Sequence, residues 1–121
     1  MSLRAQVNIN ASGDIIIHLN GGIDFDAPPS LQKELITLIK NHPTSSITLD
    51  MHGVDFVGSS GIGQFVSVIK WVNQKHEIVK LDNVKMEFAR VFKLYGLIIP
   101  FEGDLADDES EGKEEGLEVN L

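Results

Sequence analysis

The chain of 121 residues is 42% hydrophobic and carries a formal net charge of −8 at pH 7. This length suits one domain with a substantial core, and this composition excludes a wholly disordered chain. The charge is unevenly placed: residues 1–103 hold ten acidic and nine basic side chains, whereas residues 104–121 hold eight acidic side chains and one lysine. We therefore expect a nearly neutral folded domain over 1–103 and a disordered acidic tail over 104–121.

Several classes of protein do not fit this sequence. No apolar run approaches the roughly 18 residues that a membrane span needs, and no basic cluster suits a nucleic-acid backbone. Residues 1–5 lack the pattern of a secretory signal, and the absence of cysteine removes disulfide and thiolate chemistry. The four histidines are scattered without metal-ligand spacing. We expect a monomeric cytoplasmic protein that holds no metal or cofactor, binds no nucleic acid and does not insert into a membrane.

The first third of the chain predicts a hairpin followed by a helix. Residues 6–11 alternate polar and apolar side chains, and the β-branched run 14–19 follows a Ser-Gly-Asp turn. Pro28 and Pro29 suit the first turn of a helix that ends near residues 41–43. Its apolar stripe consists of Leu31, Leu35, Leu38 and Ile39.

The rest of the chain alternates strands and helices. We predict a strand at 46–51, a helix from 62, a strand at 77–84, a helix around 88–95 and a short strand at 97–101. The predicted order is β-β-α-β-α-β-α-β. Such alternation indicates an α/β fold with a mixed, mostly parallel sheet, to which the first hairpin adds an antiparallel edge.

The segment 58–63, Gly-Ser-Ser-Gly-Ile-Gly, joins the third predicted strand to the second predicted helix. Ser59 is predicted to be the N-cap of that helix, its oxygen accepting a backbone N–H of the first turn. A nucleophile elbow needs Gly-x-Ser-x-Gly, a dinucleotide fingerprint needs Gly-x-Gly-x-x-Gly, and a Walker loop needs a lysine after its glycines. The segment satisfies none of these patterns. We therefore expect a binding protein and not an enzyme.

A phosphorylation site is compatible with the same segment. A helix N-terminus presents free N–H groups and the positive end of the helix dipole, so a phosphate on Ser59 would be locally favourable. It would add roughly −1.5 to −2 charges at pH 7 and would weaken binding through that surface. A capping role alone is the alternative for Ser59.

Three stretches of the sequence resemble the STAS domains, the family of bacterial anti-sigma-factor antagonists. Residues 47–63, Ile-Thr-Leu-Asp-Met-His-Gly-Val-Asp-Phe-Val-Gly-Ser-Ser-Gly-Ile-Gly, resemble the family's strand, loop and Asp-Ser-Ser/Thr-Gly-Leu-Gly helix start. Residues 22–25 resemble its Leu-Asp before the first helix, and residues 92–97 its Leu-x-x-x-Gly-Leu after the third. The resemblance covers roughly residues 7–101 and implies a STAS-type fold.

The resemblance also implies a regulated interaction in a partner-switching pathway that controls transcription. Ser59 is then the residue phosphorylated by an anti-sigma factor that is also a serine kinase with a histidine-kinase-like ATPase fold, and Ser60 is a minor site. The unphosphorylated domain binds this kinase, phosphate abolishes binding, and a phosphatase restores it. Gly58 departs from the family, because it stands where the family has aspartate.

Two other functions stay open at this point. Gly58 favours a non-phosphorylated STAS scaffold subunit, attached to a lipid-transport ATPase or to a larger sensory complex. An enzyme or small-ligand sensor is the third possibility, and no complete set of catalytic residues supports it.

Further residues complete the predicted partner-binding surface. Asp24 and Asp50 lie near strand ends, where they could hold the switch loop or help to bind a cation during phosphoryl transfer. Plain surface or capping roles are the alternative for both. Val68 and Trp71 fall opposite the apolar stripe of the second helix, and an exposed pair there would suit a partner-binding surface. Packing of the tryptophan on a neighbouring loop is the alternative. The whole predicted surface is Asp24, Asp50, Gly58, Ser59, Ser60, Gly61, Val68 and Trp71.

Overall fold

The computed structural model describes residues 3–76, 79–97 and 115–121. The alternating and helical spacings form the first seven elements that the sequence predicts, with bounds shifted by up to six residues, the largest shift being at the end of the third strand. In chain order they are β1 (Leu3–Ile9), β2 (Ile15–Ile23), α1 (Ala27–Asn41), β3 (Ile47–Val57), α2 (Ile62–His76), β4 (Val79–Asp82), α3 (Met86–Leu94) and β5 (Glu115–Asn120).

The strands form a mixed five-stranded sheet in the order β4-β3-β2-β1-β5. β2, β3 and β4 are parallel, because α1 and α2 return the chain to the same end of the sheet before each new strand. β1 is antiparallel to β2, as the predicted hairpin requires, and Val7 pairs with Ile17. The predicted α/β fold with a mixed, mostly parallel sheet and an antiparallel first hairpin is confirmed.

The last strand corrects the prediction for the acidic tail. Residues 115–120 do not behave as disordered chain but form β5, which is antiparallel to β1 with Leu117 opposite Val7 and Val119 opposite Ala5. The strand that was predicted at 97–101 lies almost wholly outside the described residues, as do residues 104–114. The fifth strand of the sheet therefore comes from the tail.

One face of the sheet carries the core. In β2 and β3 alternate side chains are fully buried, including Ile17, Leu49 and Met51, because α1 and α2 cover that face. The ring of Phe92 brings α3 into the same core, with its centroid 5.3 Å from that of Phe65 on α2. No helix in the described part of the chain is long and apolar enough to cross a bilayer.

The parallel strands place three loops at one edge of the sheet. The carboxyl ends of β2, β3 and β4 lead into α1, α2 and α3, so residues 24–26, 58–61 and 83–85 all lie there. We call this the carboxyl edge. It holds the Gly-Ser-Ser-Gly segment.

Candidate functional site

Residues 58–61 form a tight turn at the carboxyl edge, here called the serine turn. The Gly58 N–H donates to the Ile23 carbonyl over 2.8 Å, which fastens the turn to the end of β2. The Gly58 carbonyl accepts from the N–H groups of Gly61 and Ile62, each over 3.0 Å. Gly58 is buried, and its φ is not positive. The missing aspartate therefore does not leave this backbone loose, because three main-chain hydrogen bonds hold it.

The prediction that Ser59 caps α2 is wrong. The helix begins at Ile62, and the Gly61 carbonyl accepts the N–H of Phe65 over 2.9 Å, so Gly61 is the N-cap. Ser59 thus precedes the helix, and its hydroxyl accepts no hydrogen bond from the N–H groups of the described first turn. Ser59 and Ser60 are exposed, and their hydroxyls make no hydrogen bond within the described part of the chain. Both hydroxyls are open to an incoming protein.

Gly61 sets the distance between the serine turn and the β2–α1 loop. A Cβ at this position would collide with the backbone carbonyl of Asp24, so only glycine fits here without a shift of the main chain. Asp24 itself lies beside the turn as predicted. Its carboxylate accepts the N–H of Asp26 over 3.1 Å, which orders the loop ahead of α1. Asp24 and Gly61 are thus brought together by backbone packing.

Asp50 lies elsewhere, on the sheet face opposite the core. It accepts from His18 Nδ1 over 2.6 Å, from Asn83 Nδ2 over 2.9 Å and from the N–H of His52 over 3.0 Å. Burial raises the pKa of Asp50, but the hydrogen bonds from His18, Asn83 and His52 outweigh this and lower the pKa to about 2. These partners belong to β2, β3 and the residue after β4. Asp50 therefore ties neighbouring strands together and does not hold the serine turn.

Of the pair on α2 that was predicted to be exposed, Trp71 is exposed and Val68 is buried. Val68 is only 7% exposed and belongs to the core, because α1 covers that side of α2, so its predicted place on the surface is wrong. Trp71 is 37% exposed, and the Lys75 ammonium lies 5.4 Å from the centroid of its ring. Trp71 also lines a shallow groove with Tyr95, which follows α3. Only the tryptophan remains available to a partner.

Sequence reasoning missed several residues near the site. His18 and Asn83 had no signal of their own, since they meet Asp50 only through strand pairing. Phe25 and Phe56 are 59% and 43% exposed near the carboxyl edge, although no pattern in the sequence predicted a surface position for them. The Phe56 ring lies over Gly58, where Cε2 would be 2.9 Å from a Cβ. Their place beside a serine-rich loop is the signal that could have found them.

No group of three or more histidine, aspartate or glutamate side chains in the described residues could hold a metal ion. Within the three loops of the carboxyl edge the acidic residues are Asp24 and Asp26, which share the loop between β2 and α1. The arrangement at this edge is a set of accessible hydroxyls and aromatic rings on a backbone held by main-chain hydrogen bonds.

The STAS domain family model matches residues 5–109, which is most of the chain and includes the serine turn. The chain belongs to the STAS domain family. Among curated relatives, the anti-sigma-B factor antagonist of Bacillus subtilis (strain 168) is 28% identical over 97 residues, covering 80% of this chain and 86% of the relative. The anti-sigma-B factor antagonist of Staphylococcus aureus (strain NCTC 8325 / PS 47) is 27% identical over 81 residues, covering 67% and 74%.

A solved structure shares the fold of this STAS domain. The anti-sigma factor antagonist SpoIIAA in its unphosphorylated form superposes with a TM-score of 0.55 at 20% identity, covering 74% of this chain and 82% of that chain. At this identity the likeness concerns the fold alone. β5 begins at Glu115, beyond the residues that the family model matches, so this strand is an addition to the matched part of the domain.

Proposed function

We propose that this STAS domain is a cytoplasmic anti-sigma-factor antagonist that works by binding and not by catalysis. It binds an anti-sigma factor that is also a serine kinase, and phosphorylation of Ser59 releases the complex. The observation that carries the proposal is the Ser59 hydroxyl, exposed and without a hydrogen bond in the described residues, on a turn held by main-chain bonds. The curated relatives named as anti-sigma-B factor antagonists supply the class of partner.

The geometry of the turn suits a kinase substrate. A kinase must bring the γ-phosphate of ATP in line with the hydroxyl oxygen, which requires a protruding serine on a backbone that does not yield. Ser59 meets both requirements, because Gly58 and Gly61 fix the turn on either side. Ser60 is also exposed, which makes it the minor site of the same reaction. A phosphatase completes the cycle by restoring the free hydroxyl.

A phosphate on Ser59 would act on binding more than on folding. It adds roughly −1.5 to −2 charges at pH 7 to the surface that meets the kinase. One misplaced charge in an interface can lower the affinity by one or two orders of magnitude. Each tenfold loss corresponds to about 1.4 kcal/mol of binding free energy. Since Ser59 is exposed and its hydroxyl makes no hydrogen bond within the described residues, the fold itself is expected to stay unchanged.

The test is phosphorylation by the anti-sigma kinase of the native host. With ATP and this kinase, we expect one major phosphopeptide that contains Ser59, none in Ser59→Ala, and an almost normal yield in the matched control Ser60→Ala. Calorimetric titration of the kinase should show tight binding of the wild type and at least about tenfold weaker binding of the phosphorylated protein. A wild type that is neither bound nor phosphorylated contradicts the proposal.

Gly58 favours a second candidate function. The family's aspartate is absent, so a kinase that needs this carboxylate would not modify the chain. The domain would then be a fixed scaffold in a lipid-transport ATPase or a larger sensory complex. The variant Gly58→Asp separates the two functions: phosphorylation of this variant and not of the wild type, with the wild type bound into a transporter complex, would support the scaffold.

A further inference from the structure

α2 and α3 form a basic surface on a chain that is acidic as a whole. α2 contains Lys70 and Lys75 and no acidic residue, and α3 contains Arg90 and Lys93 against the single acid Glu87. The two helices therefore carry a net charge of +3. Residues 1–103 together carry −1, so the remainder of that region carries −4. Positive charge is concentrated on this one side of the domain.

A groove runs along α2 on the same side. It starts at Gly63 in the first turn of α2, directly after the serine turn, and continues past Lys70 to Gln74, with Trp71 and Tyr95 as its aromatic walls. The Tyr95 ring lies beside Gly63, since its Cε2 would be in ordinary van der Waals contact, at 3.5 Å, with a Cβ at that position. The groove is thus formed by the packing of the end of α3 against α2.

The walls of the groove join aromatic and cationic groups. Trp71 is 37% and Tyr95 is 50% exposed, and Leu94 beside Tyr95 is 83% exposed. The Lys75 ammonium lies over the Trp71 ring, and the Lys70 ammonium lies beside Gly96, 3.2 Å from the position of a Cβ. Exposed tryptophan and tyrosine side chains next to cations are typical of protein-binding surfaces.

We propose that this groove binds an acidic segment of the anti-sigma factor that also carries apolar side chains. Trp71 and Tyr95 take the apolar side chains, and the ammonium groups of Lys70 and Lys75 pair with its carboxylates. The inference rests on the proposed function for the identity of the partner, and the charge of α2 and α3 indicates the chemistry of the segment.

The same charge pattern explains why phosphorylation of Ser59 would weaken binding of the partner and not strengthen it. The groove begins at Gly63, four residues after Ser59 in the chain, so we expect a phosphate on Ser59 to lie near this end of the groove. An acidic segment entering there is repelled by the phosphate, whereas a basic segment would be attracted. Release on phosphorylation therefore follows from an acidic partner segment.

The test uses the only tryptophan of the chain as a reporter. Protein labelled with 5-fluorotryptophan gives one fluorine resonance, and the purified anti-sigma kinase of the native host should shift or broaden it. Lys70→Glu and Lys75→Glu should each weaken binding by about tenfold at low salt, and the loss should shrink as salt is raised. The matched control Lys33→Glu, an exposed lysine on α1, should change affinity by less than about twofold.

The outcomes separate this inference from the proposed function. If the kinase binds and Ser59→Asp weakens binding, but the resonance does not move and both α2 variants bind as the wild type does, the function stands and the groove proposal is wrong. Stronger binding of the Lys→Glu variants would mean a basic partner segment and also overturns it. A resonance that responds to a single-stranded oligonucleotide and not to the kinase overturns it as well. No binding of the kinase at all overturns both proposals. Thermal melting of each variant checks that the fold is intact.

Discussion

His18 Nδ1 lies 2.6 Å from Asp50 Oδ2, so that a half-exposed histidine on β2 and a largely buried aspartate on β3 join the two central strands. A carboxylate whose pKa is about 2 is ionised at neutral pH and can only accept, so the histidine donates from Nδ1. Asn83, in the left-handed region with a φ of 56°, donates to the other carboxylate oxygen. One carboxylate thus holds β2, β3 and the end of β4 on the open face of the sheet.

This network should make stability fall in acid. Because the folded pKa of Asp50 is about 2 and its ordinary value is 3.8, the group stabilises the fold fully above pH 3.8 and loses this contribution as the pH falls through 2. The shift corresponds to about 2 kcal/mol. Urea unfolding gives the free energy of unfolding of the wild type and of Asp50→Asn. The difference between the two should be smaller at pH 2 than at pH 6 by about that amount. Asp55→Asn, which changes an exposed carboxylate, is the control, and an equally large change there would contradict the assignment.

Two glycines of the serine turn should respond differently to a methyl group. Gly61→Ala forces a Cβ against the Asp24 carbonyl, which is main chain and cannot move alone, so we expect a loss of about 1–3 kcal/mol. Gly58→Ala meets only the edge of the Phe56 ring, an exposed side chain that can rotate away, and should cost less than about 1 kcal/mol. Urea unfolding of the pair measures this difference. Equal losses would mean that the turn is not packed on Asp24.

Ser59 should matter for binding and not for stability. Since its hydroxyl neither caps α2 nor bonds elsewhere in the described residues, Ser59→Ala should change the free energy of unfolding by less than about 0.5 kcal/mol. Ser59→Asp should melt like the wild type while binding the anti-sigma kinase at least about tenfold more weakly. A stability loss of about 1 kcal/mol in Ser59→Ala would restore the capping role that the structure contradicts.

β5 should stabilise the sheet through hydrogen bonds that every second backbone N–H of β5 donates to β1. The Leu121 N–H donates to the Leu3 carbonyl, and in an antiparallel ladder the hydrogen-bonded pairs recur every second residue, so the amides of Leu117 and Val119 point to β1. Leu117→Pro removes one donor and should destabilise the domain by at least about 1 kcal/mol. Glu118→Pro, whose amide faces away from β1, is the matched control and should cost less.

Hydrogen exchange offers an independent measurement of the same strand. The amides of Leu117 and Val119 should exchange more slowly than that of Glu118. Equally fast exchange over residues 115–120 would show that the tail does not pair with β1 in solution.

The sequence predicted the elements well because their signals are local. Alternation in β1 and β3 and the 3–4 residue spacing in α1 and α2 depend on neighbours along the chain, and the Pro28-Pro29 pair sits in the first turn of α1 as expected. The tail was misjudged for the same reason. Its composition is that of a disordered segment, and only the open edge of β1, more than 100 residues away in the chain, turns residues 115–120 into a strand.

The site was predicted in part. The sequence alone predicted that the small residues 58–63 join a strand to a helix, because glycine and serine are typical of turns and helix starts. Which atoms the turn contacts depended on tertiary structure: Gly61 meets Asp24 because β2 and β3 end at the same edge, and this packing moves the helix start past Ser59. Likewise, helical spacing placed Val68 on the surface, and the cover that α1 provides put it in the core. Periodicity states which residues share a face of an element, but only the neighbours that the fold assembles decide which faces meet solvent.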